Sequence, residues 1–335
     1  MARLRRLLPI PGLVARALVD AEHPILAQIV PTRRCNLGCG YCNEYDRTSA
    51  PVALDVVLGW LDCLARLGTE IVTVSGGEPL LHPEVDDIVA GVRARGMVAG
   101  LITNGYLLQP VRIERLNRAG LQYLQVSIDN LRPDAVSTKS LELVDDKLVR
   151  LARLARFHVN VNVVLGSGCE RPEDALAIAR RAAALGFSTS VGIIHDGAGQ
   201  LRPLSAREAA VYQQVAALGR GMYARIRGFQ DNLIAGRPNH WQCRAGARYL
   251  YVCEDGKVHY CSQQRGYPGV PLADYTVDHI RREFHTAKAC APLCTIGCVH
   301  RISVLDRWRG RQARPDARRQ PAAASSSASD SRKVG

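Results

Sequence analysis

The sequence has few aromatic side chains and no long apolar run. Phe, Trp and Tyr make up 5% of its 335 residues, and no basic helix alternates with stacking side chains, so nucleic-acid binding is not expected. No run of about eighteen apolar residues could span a bilayer. The basic N-terminus is interrupted by Pro9, Pro11 and Arg16 and lacks a small-residue cleavage pattern, which argues against a signal peptide. A reducing cytoplasm is therefore the expected setting, and clustered cysteines there usually bind metal.

Cysteine and positive charge are abundant instead. The chain has eleven cysteines, and an odd number cannot pair completely as disulfides within one chain. Its formal net charge is +13, and much of the excess lies in Arg3, Arg5, Arg6 and residues 307–319. A positive field attracts anions, so the charge favours an acidic protein or an anionic membrane surface as a partner.

Short apolar runs alternate with longer amphipathic runs through most of the chain. Six strand-then-helix units predict an α/β fold in which a parallel sheet curls into a partial (β/α)6 barrel. In such sheets the reactive groups gather at the carboxyl ends of the strands. The predicted strands are 25–30, 71–75, 98–103, 123–128, 158–165 and 189–194, and the predicted helices are 53–67, 83–95, 111–119, 141–156, 172–185 and 205–218.

Changes in composition predict four segments. Residues 1–24 are basic and amphipathic, and they either lie on the inner face of a membrane or cap the main domain. Residues 25–220 form the barrel domain. Residues 221–310 form a small cysteine-rich unit with shorter elements. Residues 311–335 are rich in Arg, Pro, Ala and Ser, and we expect a disordered tail there.

Three cysteines form a loop directly after the first predicted strand. Cys35, Cys39 and Cys42 are separated by three and two residues. A cubane iron-sulfur cluster held by three thiolates keeps one iron open for a substrate or cofactor. The alternative is a zinc knuckle, which would need a fourth ligand, and no Cys or His follows within the next twenty residues.

With Tyr41 before its last cysteine, this loop resembles the signature of the radical S-adenosylmethionine (SAM) enzymes. The second predicted strand ends in Ser75-Gly76-Gly77-Glu78-Pro79, which is similar to the Gly-Gly-Glu-Pro motif of that family. The resemblance implies that this motif contacts the amino group of SAM and that Tyr41 lies near the adenine. It also implies ribose and carboxylate contacts after the third and fourth strands, from Thr103, Asn104, Ser127 and Asp129.

The resemblance implies a reaction as well. In the family, a reduced [4Fe-4S] cluster passes one electron to SAM, which releases methionine and a 5'-deoxyadenosyl radical that removes hydrogen from a substrate. A flavodoxin- or ferredoxin-type protein is the implied reductant. The rival interpretation from another class is a non-catalytic iron-sulfur electron carrier or sensor, which would not need the nucleotide-binding residues.

A second group of cysteines follows in residues 221–310. Cys243 to Cys261 resembles the start of the auxiliary-cluster domains called SPASM and twitch. From that resemblance we expect one auxiliary [4Fe-4S] cluster, with Cys253 as the unused thiol. Structural zinc is the alternative, since four cysteines alone do not separate the two metals. The expected ligands are Cys243, Cys261 and two of Cys290, Cys294 and Cys298, whereas Cys63 and Cys169 are expected to be inert thiols.

The substrate side is the least defined part of the sequence. His195 and Asp196 follow the sixth predicted strand and are candidate catalytic residues that bind substrate or carry a proton, although His195 could also be structural. We expect a small molecule or lipid as the substrate, because the 24 residues before the barrel are too few for a leader-peptide domain. Maturation of a ribosomal peptide is the alternative.

Overall fold

The structure is a computed structural model, and it describes residues 10–166, 170–195, 201, 203–219 and 226–309. Asp196, Cys169, the start of the N-terminal segment and the predicted tail lie outside the described residues. Within the described part, no helix is long and apolar enough to cross a membrane.

Six parallel strands, each followed by a helix, confirm the predicted α/β barrel units. The strands are β1 (Leu26–Ile29), β2 (Ile71–Val74), β3 (Val98–Thr103), β4 (Tyr123–Ser127), β5 (His158–Leu165) and β6 (Ser188–Ile193). A helix α1 (Ile10–Val19) precedes them. The crossover helices are α2 (Leu54–Arg66), α3 (Val85–Ala94), α4 (Pro110–Ala119), α5 (Leu141–Leu154), α6 (Glu173–Ala184) and α7 (Ala206–Leu218).

The C-terminal third extends the same sheet. Its elements are α8 (Gly228–Ile234), β7 (Tyr249–Val252), β8 (Lys257–His259), β9 (Pro268–Pro271), α9 (Val277–His285) and α10 (Gly297–Ser303). Strand β7 pairs in parallel with β1, and β8 pairs antiparallel with both β7 and β9. The strand order is β6-β5-β4-β3-β2-β1-β7-β8-β9. The sheet therefore stays open between β6 and β9, as a partial barrel requires.

Two apolar cores share strand β7. Leu250 and Val252 point into the main core, which the helices cover, whereas Tyr249 and Tyr251 point to the other face. That second face forms a small core with Val30 and several C-terminal cysteines. Because side chains alternate along a strand, β7 fixes the cysteine-rich unit against the inner face of the barrel.

A buried arginine attaches α1 to the C-terminal unit. Arg248 has no exposed side-chain surface and pairs with the equally buried Asp306 at 3.0 Å. Its guanidinium donates to the carbonyls of Ala17, Asp20 and His23 at 2.6 to 2.9 Å. Cations stabilise the last carbonyls of a helix, so this contact fixes the end of α1. The described part of the N-terminal segment is thus attached to the C-terminal unit.

Candidate cluster and cofactor site

The three-cysteine loop lies at the carboxyl edge of the sheet, between β1 and α2. Backbone bonds from Cys35 to the Asp46 carbonyl (3.0 Å) and from Asp46 to the Arg33 carbonyl (2.9 Å) fix its base. The amide of Cys42 donates to the Cys39 carbonyl at 3.0 Å, which turns the chain between these two thiols. The loop thus presents all three thiols from one short, hydrogen-bonded segment.

The thiol chemistry fits a cluster. Every cysteine in the described residues is a free thiol. Burial raises the pKa of Cys35 and Cys42, and the Leu37 amide donates to Cys35 Sγ at 3.4 Å. Metal ligation would supply the positive charge that these buried thiols need for ionisation. Hydrogen bonds from amides to sulfur help to set the reduction potential of a cluster.

The described ranges contain no group of three or more His, Cys, Asp or Glu side chains arranged around a single metal ion. A cubane needs no such arrangement, because each cysteine binds a different corner iron.

The two glycines of Gly76-Gly77 allow the motif to approach the cysteine loop. A Cβ on Gly76 would lie 2.2 Å from the Thr32 carbonyl oxygen, and one on Gly77 would lie 2.2 Å from the Arg33 oxygen. Amides of Gly77 and Glu78 donate to carbonyls of the same loop at 3.1 and 2.9 Å. From the sequence we expected close approach to a ligand, but the described contacts of these two glycines are with the backbone that carries the cluster thiols.

Glu78 has no exposed surface and three protein donors. Its Oε1 accepts from the Leu80 amide (3.0 Å) and the Thr103 hydroxyl (2.7 Å), and its Oε2 accepts from the Asn104 amide (2.8 Å). Burial raises the pKa of Glu78, while these hydrogen bonds act in the opposite direction. Pro79 begins the buried turn that follows. The motif after β2 and the residues after β3 therefore form one hydrogen-bonded unit.

Asp129 anchors the cysteine loop to the segment after β4. Its Oδ2 accepts from the hydroxyls of Tyr41 (2.7 Å) and Ser137 (2.6 Å), and Ser137 Oγ lies 3.3 Å from Cys39 Sγ. Lys139 donates to the Tyr41 hydroxyl at 2.8 Å. Burial disfavours its charge, but Asp129 and Tyr41 outweigh this effect and raise the pKa of Lys139 well above its ordinary value.

Ser137 and Lys139 were missed from the sequence. They lie 98 residues from their partners Cys39 and Tyr41, and no spacing rule connects such positions.

The remaining candidates lie further along the same edge. Ser127 ends β4, half-buried beside Asn162 of β5. His195 follows β6, and its Nε2 lies 2.6 Å from the side-chain nitrogen of Gln263, two residues after Cys261. Glu44, two residues after the cysteine loop, has a buried carboxyl whose pKa burial raises to about 7. The barrel edge and the C-terminal unit thus meet on the expected substrate side.

Cys243, Cys253 and Cys261 are buried in the small core, and Cys298 packs against it. Burial raises the pKa of Cys294 well above its ordinary value, and negative charge on its neighbours Cys261, Cys243 and Cys290 adds to the rise. Negative charge on Cys290 likewise adds to the burial effect at Cys243 and Cys261.

Cys253 and Cys298 share the small core with Cys243 and Cys261. Burial is the main cause that raises the pKa of Cys253, and the charges that add to it come from Glu254, Asp255 and Glu44. Burial raises the pKa of Cys298.

Residues 29–198, about half of the chain, match the family description "Radical SAM superfamily". The chain belongs to the radical SAM superfamily. It is therefore an enzyme of a family that uses a [4Fe-4S] cluster and SAM, and these are its cofactors.

Relatives show how far the radical SAM likeness extends. The PqqA peptide cyclase of Gluconobacter oxydans is 34% identical over 136 residues, which are 39% of this chain and 37% of that protein. A probable GTP 3',8-cyclase of Aeropyrum pernix is 29% identical over 273 residues, 73% of this chain and 76% of that protein. The crystal structure of Streptococcus suis SuiB bound to precursor peptide SuiA has a TM-score of 0.59 at 14% identity, covering 81% of this chain and 68% of SuiB.

Proposed function

We propose that this enzyme reductively cleaves SAM at a [4Fe-4S] cluster held by Cys35, Cys39 and Cys42. The resulting radical removes a hydrogen atom from an organic substrate. The observation that carries the proposal is the connection between the cysteine loop and the SAM motif. Backbone amides of Gly77 and Glu78 bond to the loop, and the Glu78 carboxylate accepts from residues after β3. A protein that only carries electrons does not need this hydrogen-bonded motif beside its cluster.

Each part of the site has a task under this proposal. When bound, the cluster supplies the electron that cleaves SAM into methionine and a 5'-deoxyadenosyl radical. The residues 76–79 and Asn104 orient the methionine moiety, while Tyr41 lies against the adenine and Ser127 near the ribose. Asp129 and Lys139 hold Tyr41 in place through its hydroxyl. Fixed geometry matters here because a misplaced radical reacts with the wrong bond.

The test is 5'-deoxyadenosine formation by the anaerobically reconstituted protein with dithionite and SAM. The comparison variant replaces Cys35, Cys39 and Cys42 by Ala. The matched control is Cys63→Ser, because Cys63 lies on α2 and its recorded contact is with Arg66. Product from the wild type and the control but not from the triple variant supports the proposal. No product from an iron-loaded wild type, with native reductant and candidate substrates added, would refute it.

For the C-terminal unit, proposed as residues 221–310 beside a barrel of 25–220, we propose one auxiliary [4Fe-4S] cluster. Its proposed ligands are Cys243 and Cys261, which are buried in the small core, together with Cys290 and Cys294. Cys298 is the alternative ligand. Wild-type protein should then hold about eight irons per chain, and the triple loop variant about four. Zinc in place of four of the irons would contradict the auxiliary cluster.

The two candidate substrate classes are a small molecule or lipid and a peptide. The likeness to PqqA peptide cyclase and to the fold of SuiB, crystallised with a precursor peptide, favours the peptide. His195, Asp196 and Glu44 are the candidate substrate contacts. The two classes separate in an isotope experiment: deuterium from the true substrate should appear in 5'-deoxyadenosine. Transfer from a deuterated precursor peptide would select the peptide.

An acidic flavodoxin or ferredoxin is the proposed reductant. Arg34 and Arg47 are exposed on the cysteine loop and beside it, and neither has an ion-pair partner in the described ranges. Turnover driven by such a protein should fall steeply with salt, because exposed charges are screened. Turnover that does not change with salt would count against this partner.

Peripheral membrane contact through residues 1–24 is also a proposal. It is supported by the arginines of that segment and by the exposed Val19 and Trp308. Sedimentation with anionic vesicles, but not with neutral ones, would support it.

A further inference from the structure

A hydrogen-bonded chain runs from the C-terminal unit to the SAM motif. The Tyr249 hydroxyl on β7 donates to Gln28 Oε1 on β1 at 2.9 Å. The Gln28 amide nitrogen donates to Ser75 Oγ at 2.5 Å. Ser75 is the residue before Gly76, and only 4% of its surface is exposed. Three side chains thus connect the two halves of the molecule on the inner face of the sheet.

Each end of this chain lies at a proposed cofactor site. Tyr249 is buried in the small core that contains Cys261 and against which Cys298 packs. At the other end, Ser75 bonds through its own amide to the Ile29 carbonyl at 2.9 Å. Two residues later, Gly77 contacts the cysteine loop. Gln28, which joins the two ends, is half-buried.

We propose that Tyr249 is a positioning residue for SAM: through Gln28 and Ser75 it holds the Gly76–Pro79 turn, so that SAM affinity depends on the C-terminal unit. The inference rests on the proposed function only in assigning that turn to SAM. Removal of the Tyr249 hydroxyl deprives Gln28 Oε1 of its donor. The Gln28 side-chain amide is then held less firmly in the position from which it donates to Ser75. The turn loses one of the contacts that hold its start.

The decisive variant is Tyr249→Phe, which removes one hydroxyl and keeps the packed ring. The matched control is Tyr251→Phe, because Tyr251 lies on the same strand and the same face, is 1% exposed, and its side chain has no hydrogen bond to the part of the chain that the structure describes. SAM affinity of the cluster-loaded proteins, measured by equilibrium dialysis, should fall by about three- to tenfold in Tyr249→Phe, the effect of one lost hydrogen bond. The control should match the wild type at equal iron content.

Hydrogen exchange of the cluster-free protein gives a second measurement that needs no cofactor. The peptide around residues 71–80 should exchange faster in Tyr249→Phe and in Gln28→Leu than in Tyr251→Phe. Unchanged exchange and unchanged SAM affinity in Tyr249→Phe would overturn the inference, as would an effect in Gln28→Leu alone. A wild type that binds SAM without cleaving it would refute the proposed function and leave this inference standing.

Discussion

The contact between Gly77 and the cysteine loop leads to a sharp prediction for Gly77→Ala. The new Cβ would lie 2.2 Å from the Arg33 oxygen and 2.4 Å from the Arg34 oxygen, where real Cβ atoms stay beyond 3.0 Å. Both neighbours are backbone atoms, so no side-chain rotation relieves the clash. If the motif moves away from the cysteine loop to relieve the clash, the hydrogen bonds that the Gly77 and Glu78 amides donate to the loop should break. Two lost hydrogen bonds and the overpacking together predict a loss of about 3 to 5 kcal/mol in the free energy of unfolding.

The measurements are urea unfolding of the cluster-free protein and the iron content after reconstitution. We expect a lower urea midpoint and a loss of about half the iron, because the loop cluster would be lost and the auxiliary cluster kept. Gly59→Ala is the matched control, since nothing lies within 4 Å of its added Cβ on α2. It should be neutral or slightly stabilising. Equal stability and iron content in the two variants would refute the contact.

Three further predictions concern the rest of the molecule. Arg248→Met leaves the buried Asp306 short of a partner and should cost about 3 to 5 kcal/mol in urea unfolding, whereas Arg207→Ala, which breaks an exposed pair, should cost less than about 1; similar costs would contradict the burial argument. Burial lowers the pKa of His23 in the folded chain. Below about pH 6.5 the unfolded chain therefore binds a proton at His23 more readily than the folded chain does, and the free energy of unfolding should fall as the pH drops. His23→Gln should reduce that fall. If the urea midpoint of His23→Gln depends on pH in the same way as that of the wild type, protonation of His23 is not the cause. Cys253→Ser should keep the full iron content, and a loss of iron would make Cys253 a ligand.

Most of the barrel was predictable because its signals are local. The run of β3 is apolar apart from its last residue and almost wholly buried, as both faces of a central parallel strand require. The place of β7 was not predictable. Its four residues are all buried, so the run shows no alternation, and its pairing with β1 joins positions more than two hundred residues apart. Such non-local pairing leaves no trace in the spacing of residues.

The site divides in the same way. Cys35, Cys39 and Cys42 and the motif at 76–79 are contiguous, so their chemistry was readable from the sequence. The partners of Tyr41 were not, because Lys139 reaches its hydroxyl only after the segment that follows β4 folds over the loop. The contact between His195 and Gln263 depends similarly on the packing of the C-terminal unit. Contacts between segments that are distant in the sequence, such as these two, could not be predicted.

The most direct test of the account is electron paramagnetic resonance of the dithionite-reduced protein before and after addition of SAM. If the cysteine loop holds a cluster with one open iron, SAM should change the signal of the wild type and of a variant lacking Cys243, Cys261, Cys290 and Cys294. The Cys35, Cys39 and Cys42 triple variant should show no change. A wild-type signal that SAM leaves unaltered, with both clusters loaded, would contradict the account.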